Sequence, residues 1–169
     1  VSEKYKKYSY HLSQLALIIT GFLAFNLIGE SATIFSGTFV LDNLGSTFKV
    51  FVLGFSVIAL VYSRQYLIVH ELLRNEYFIL ALMSILGMMV MISANHFLTL
   101  YLGLELLSLS LYAMVALRRD SVVATEAAMK FFILGALASG FLLYGMSLVY
   151  GATGGALDIT RVAEVIQGG

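Results

Sequence analysis

Glu105 and Lys130 are ionisable residues set inside consecutive apolar stretches, which makes them the strongest chemical signal in the chain. Glu105 is the sole formal charge between Phe97 and Leu117, and Lys130 lies about a third of the way through Ser121–Tyr150. An acid or a base deep in hydrocarbon is expensive unless it meets a partner or water, so such residues point to ion or proton movement. Tyr101, Ser108 and Tyr112 stand at i−4, i+3 and i+7 from Glu105, on its helical face. Two phenols, a hydroxyl and a carboxyl on one stripe make a polar track suited to proton exchange. The alternative is a carboxyl that only ties helices together by hydrogen bonds. Lys130 has Glu126 at i−4, the favourable order for a helical ion pair. It therefore either faces Glu105 or internal water as a proton carrier, or pairs with Glu126 and snorkels to the interface.

Other chemistries find little support. No phosphate-binding loop, Ser–His–Asp set or dinucleotide fingerprint is present. The 3 histidines have no metal-ligand spacing, and His96, in a turn, reads as a surface residue. With 0 Cys, the chain has no disulfide, thiolate metal site or cysteine-ligated cluster. The net charge of +0 argues against a nucleic-acid partner, which needs clustered Lys and Arg.

The elements that must position Glu105 and Lys130 follow from composition. Hydrophobic residues are 60% and charged residues 12% of the 169, and mean hydropathy is +0.92. So few charges cannot cover a soluble surface, which leaves a polytopic, all-α transmembrane bundle in a lipid bilayer. The alternative, helices buried in a large soluble core, leaves the loop charges unexplained. At about 20 residues per crossing, five spans are expected, roughly 11–29, 46–69, 77–94, 97–117 and 121–150. Asn95-His96 makes a tight hairpin of spans three and four, and Asp120 or Ser121 can cap the fifth. Asn26 reads as an interhelical hydrogen-bonding group, and the stripe Ala128, Gly135, Ser139, Met146 as packing. Ala136 and Gly140 form a small-xxx-small pair, and Leu157–Ile166 is too short a pattern to assign.

Alternating spans put Lys4, Lys6, Lys7, Arg64, Arg74, Arg118 and Arg119 on one side, leaving Lys49 and Arg161 on the other. The positive-inside rule then predicts a cytoplasmic N-terminus for this piece. The start at Val1 and the end at Gly169 are expected to be those of an internal fragment.

The string GLELLSLSLYAMVALRRDS (Gly103–Ser121), followed by TEAAMKFFILGALASGFLLYGMSLVYGATG (Thr125–Gly154), resembles one family. It is similar to the N subunit of proton-pumping NADH:quinone oxidoreductase, respiratory complex I, as is Glu76–Leu102. The likeness implies a partial antiporter-like membrane domain over 1–169, whose spans would be the family's second to sixth. It implies that Glu105 belongs to a central polar axis and controls the protonation of a nearby pump lysine, and that Lys130 takes part in transport. It further implies other membrane-arm subunits as partners. FMN, iron–sulfur clusters, NADH and quinone are then expected in other subunits, with no cofactor and no redox chemistry in this chain. A related cation/proton antiporter subunit and a structural membrane scaffold are the rival readings. One departure stands out: the family usually reads SLPLY where this chain has Ser108-Leu109-Ser110-Leu111-Tyr112. Without that Pro, the helix should run straighter just past Glu105.

Overall fold

The computed structural model describes residues 3–70 and 72–168, with side chains from residue 8 onward. The order is α1 (Glu3–Asn26), β1 (Ala32–Ile34), β2 (Phe39–Leu41), α2 (Asn43–Val69), α3 (Asn75–Ser93), α4 (Phe97–Val115), α5 (Val122–Ala152) and α6 (Ile159–Gly168). Among the described residues, α2, α3, α4 and α5 are long and apolar enough to cross a membrane. At about 1.5 Å per residue, the 19 residues of α3 and of α4 reach roughly the ~30 Å of a hydrocarbon core. The expected first span, 11–29, lies mostly in α1, which is 24 residues long and is not among those four, because His11, Gln14 and Asn26 dilute its apolar run. Lys4, Lys6 and Lys7, assigned above to the basic side, lie outside the residues whose side chains are described.

Heptad-like spacing explains how the first three helices pack. Ser46, Leu53, Leu60 and Leu67 recur every seven residues along α2, and all are buried. Such a repeat keeps one seam of a helix against its neighbours. Tyr10, Leu17 and Ala24 of α1, Leu53 and Leu60 of α2, and Phe78, Ala81 and Ile85 of α3 form the core. Tyr10 stacks edge-on to Phe78 at 5.8 Å between centroids, with the Arg64 guanidinium 4.6 Å from the Tyr10 ring. Gln14 Nε2 donates to the Val57 carbonyl at 3.3 Å, a polar tie between α1 and α2. Among the described residues, Asn26 makes no hydrogen bond to another helix. Its Nδ2 donates to Phe22 O at 2.9 Å, one turn back in α1.

From this core the bundle extends one helix at a time, α4 packing on α3 and α5 on α4. Gly87 and Gly103 set the first contact. A Cβ on Gly87 would lie 2.6 Å from the Gly103 carbonyl oxygen, and one on Gly103 would lie 2.9 Å from that of Gly87. Small residues let the backbones approach this closely. The tight turn at Asn95-His96 forms as expected, but His96 is more than a surface residue. It caps α4, its Nδ1 accepting from Leu98 N at 3.2 Å.

One end of the bundle is more ordered than the sequence suggested. Residues Glu30–Leu44, between the first two helices, contain the antiparallel hairpin β1–β2. Asn95 Nδ2 donates to Gly37 O at 3.1 Å, and Asn95 N donates to Thr38 O at 3.0 Å. Ile159 N donates to Asn95 O at 2.9 Å, and Phe97 N to Leu157 O at 3.0 Å. The unassigned stretch after α5 thus becomes α6, docked beside the same turn, with Val162 buried. Gly154 and Gly155, at φ +69° and +100°, reverse the chain between α5 and α6.

Candidate functional site

Glu105 sits at the ninth position of α4, a helix whose other residues carry no formal charge. Its face is set by the packing just described, because Gly103 fastens α4 to α3 and turns the next stripe toward α5. Glu105 is half-buried there. The Ser139 hydroxyl on α5 donates a short hydrogen bond to Glu105 Oε1. The Tyr101 hydroxyl lies 2.9 Å from the same Ser139 oxygen. Three polar side chains from two helices therefore form one connected group: Tyr101, Ser139 and Glu105.

The remaining members of the expected track divide. Tyr112 is on the same face but serves packing. Its ring meets Phe131 and Phe132 edge-on at 4.9 and 5.8 Å, and it occupies the space a Cβ on Gly135 would need. Ser108 makes no hydrogen bond to Glu105 among the described residues. The stripe Ala128, Gly135, Ser139, Met146 does face α4, with Ala128 and Met146 buried. Reading Ser139 as packing alone was incomplete. Its spacing with Gly135 and Met146 disguised a hydroxyl that meets the charge on the neighbouring helix. The pair Ala136 and Gly140 is exposed in this chain, and a Cβ on Gly140 would meet nothing within 4 Å.

Lys130 resolves the other way. Its Nζ lies 2.6 Å from Glu126 Oε1, with the side chains 70% and 61% exposed respectively. At that exposure an i,i+4 pair is worth only about 0.3–0.5 kcal/mol. Among the described residues no ion pair or hydrogen bond joins Lys130 to Glu105. Lys130 and Glu126 instead line a surface groove with Arg119, Asp120, Thr125 and Met129. Nearby, Ser121 rather than Asp120 caps α5, its Oγ accepting from Ala124 N at 3.3 Å.

Ser110 occupies the expected point of departure from the family pattern. It is buried, and its Oγ donates to Leu106 O at 2.7 Å within an α4 that is continuous to Val115. The helix past Glu105 is unbroken.

The family described as "NADH:quinone oxidoreductase/Mrp antiporter, TM" matches residues 94–169, which include all of α4 and α5. The NADH-quinone oxidoreductase subunit N of Ruthia magnifica subsp. Calyptogena magnifica is 56% identical over 165 residues, covering 97% of this chain and 34% of that protein. The chain belongs to the subunit N family. It spans about a third of the length of the relatives it matches. Its fold also matches a chain of respiratory complex I from Thermus thermophilus, with TM-score 0.75 and 30% identity, over 90% of this chain and 33% of that one. A chain of the archaeal membrane-bound sulfane sulfur reductase matches with TM-score 0.76 and 25% identity, over 97% and 35%.

Proposed function

We propose that this chain is part of a membrane-arm subunit of a proton-pumping NADH:quinone oxidoreductase, in which Glu105 exchanges a proton during each pumping cycle. The observation that carries the proposal is the nature of the Glu105 partner. Among the described residues, a neutral hydroxyl, not a cation, holds this carboxyl in a span of otherwise uncharged residues. A carboxylate locked to an Arg or Lys stays ionised, whereas one held by hydroxyls can change protonation when a charge moves nearby. Glu105 is thus suited to answer the charge on lysines of the longer subunit, and to pass on its own change. Lys130 is the secondary carrier. Its weak, exposed pair with Glu126 leaves it free to trade partners.

In this reading NADH, FMN, iron–sulfur clusters and quinone belong to other subunits, and the chain contributes the ion path. Its neighbours are the other membrane-arm subunits, in a bacterial inner membrane with the Arg118–Arg119 end facing the cytoplasm. The test begins with affinity-tagged full-length subunit. Flavin- and iron–sulfur-containing subunits should copurify, and NADH should acidify inverted vesicles without sodium. Sodium-dependent exchange with no redox partner would instead favour a cation/proton antiporter.

A further inference from the structure

We infer that Ser139 is the positioning residue for Glu105, holding its carboxyl through a hydrogen-bond chain whose polarity reverses with the protonation state of Glu105. This rests on the proposal that Glu105 exchanges a proton. A serine hydroxyl has one hydrogen and two acceptor sites, and an ionised carboxylate can only accept. With Glu105 ionised, Ser139 must spend its hydrogen on Oε1. The Tyr101 hydroxyl, 2.9 Å from Ser139 Oγ, must then donate to it. The chain has one direction: Tyr101 to Ser139 to Glu105.

Once Glu105 takes up a proton, its own O–H can donate to Ser139, and Ser139 turns its hydrogen toward the Tyr101 oxygen. Apart from the O–H bond formed as Glu105 takes up its proton, only hydrogen bonds change, and both states keep Glu105 and Ser139 partnered. An unpartnered polar group in an apolar setting is costly, so this reversal lets one site accept the carboxyl in both forms. A cation could favour only one. The chain also bridges α4 and α5, with Gly135 one turn before Ser139 keeping the helices close by receiving the Tyr112 ring. It leads from Glu105 toward the α4 N-terminus, and Lys130 has no part in it. Ser139 is therefore not interchangeable with the small packing residues on its stripe.

The test uses the full-length subunit in its assembled complex, with Ser139→Ala, Ser139→Thr, Tyr101→Phe and Glu105→Gln compared. Infrared difference spectra on turnover identify the Glu105 carboxyl band as the one missing from Glu105→Gln. Ser139→Ala should move that band and cut the rate of proton pumping about tenfold, the scale of one hydrogen bond to a charged group. Ser139→Thr keeps the hydroxyl and should restore both, and Tyr101→Phe should move the band by a smaller amount. A band unmoved in Ser139→Ala overturns the inference. So does full pumping in Ser139→Ala when Glu105→Gln has lost it, an outcome that leaves the role of Glu105 standing. Pumping retained in Glu105→Gln instead refutes the underlying proposal. If Ser139→Ala does not assemble, the Tyr101→Phe band decides, and its failure to shift overturns the chain.

Discussion

Two ionisable side chains on neighbouring helices meet different surroundings. Glu105 is held between helices by the Ser139 hydroxyl, while Lys130 pairs along its own helix in a groove open to the surroundings. Replacing Lys130 by Met should therefore lower pumping in the assembled complex less than replacing Glu105 by Gln, as measured by acidification of inverted vesicles. An equal loss would place Lys130 on the main path. Sequence spacing alone exposed Glu105, because a lone carboxyl in a Leu-rich span cannot be decorative. It also predicted Tyr101 on the same face, and offered the Glu126–Lys130 pair as one of two readings. It did not single out Ser139, since the partner of a charge lies across a helix interface and no periodicity within one helix encodes that meeting. A second residue-scale prediction follows from Gly135. Gly135→Ala would push a methyl into the Tyr112 ring and should destabilise the α4–α5 contact by about 1–3 kcal/mol. Adding Tyr112→Ala should return part of that loss, read as the thermal midpoint of the purified complex.

At the scale of elements, glycine contacts fix where helices touch. Gly87 abuts the Gly103 carbonyl oxygen and the Leu107 backbone nitrogen, which cannot swing aside as a flexible side chain can. Gly87→Val should weaken α3–α4 association more than Gly135→Ala weakens α4–α5, and a crosslink between labelled α3 and α4 should form less readily. The helices themselves were legible from apolar runs and caps, including the turn at Asn95-His96 and the cap at Ser121. α1, expected as a span over 11–29, is a helix over Glu3–Asn26. Its length suits a membrane, but Gln14 reaches across to Val57 and the other polar residues lower its apolar content. A hydropathy count weighs Gln14 as a cost, whereas the packed helix uses it as a tie. The short α6 was unreadable for the opposite reason. Ten residues give too few repeats to declare a helix, and its place is decided by backbone bonds to the distant Asn95 turn.

For the whole molecule, the two ends of the bundle differ. The end holding the β1–β2 hairpin, the Asn95 turn and α6 is clasped by bonds from residues far apart in sequence. Asn95→Ala should remove the side-chain bond to Gly37, worth about 1 kcal/mol. Amide exchange should rise in the 32–41 hairpin and stay unchanged in α3, an outcome readable by mass spectrometry. The far side of α5 is apolar and exposed, with Ile133, Leu137, Phe141 and Tyr144 all on the surface. That is the pattern of a helix apolar all round, in contact with lipid or further helices. The central claim remains that Glu105 carries protons coupled to quinone reduction. The most direct measurement follows quinone reduction and vesicle acidification together, in the assembled complex carrying Glu105→Gln. Acidification per quinone reduced should fall sharply while assembly is preserved. Wild-type acidification per quinone reduced would contradict the account and leave Glu105 a structural tie between α4 and α5.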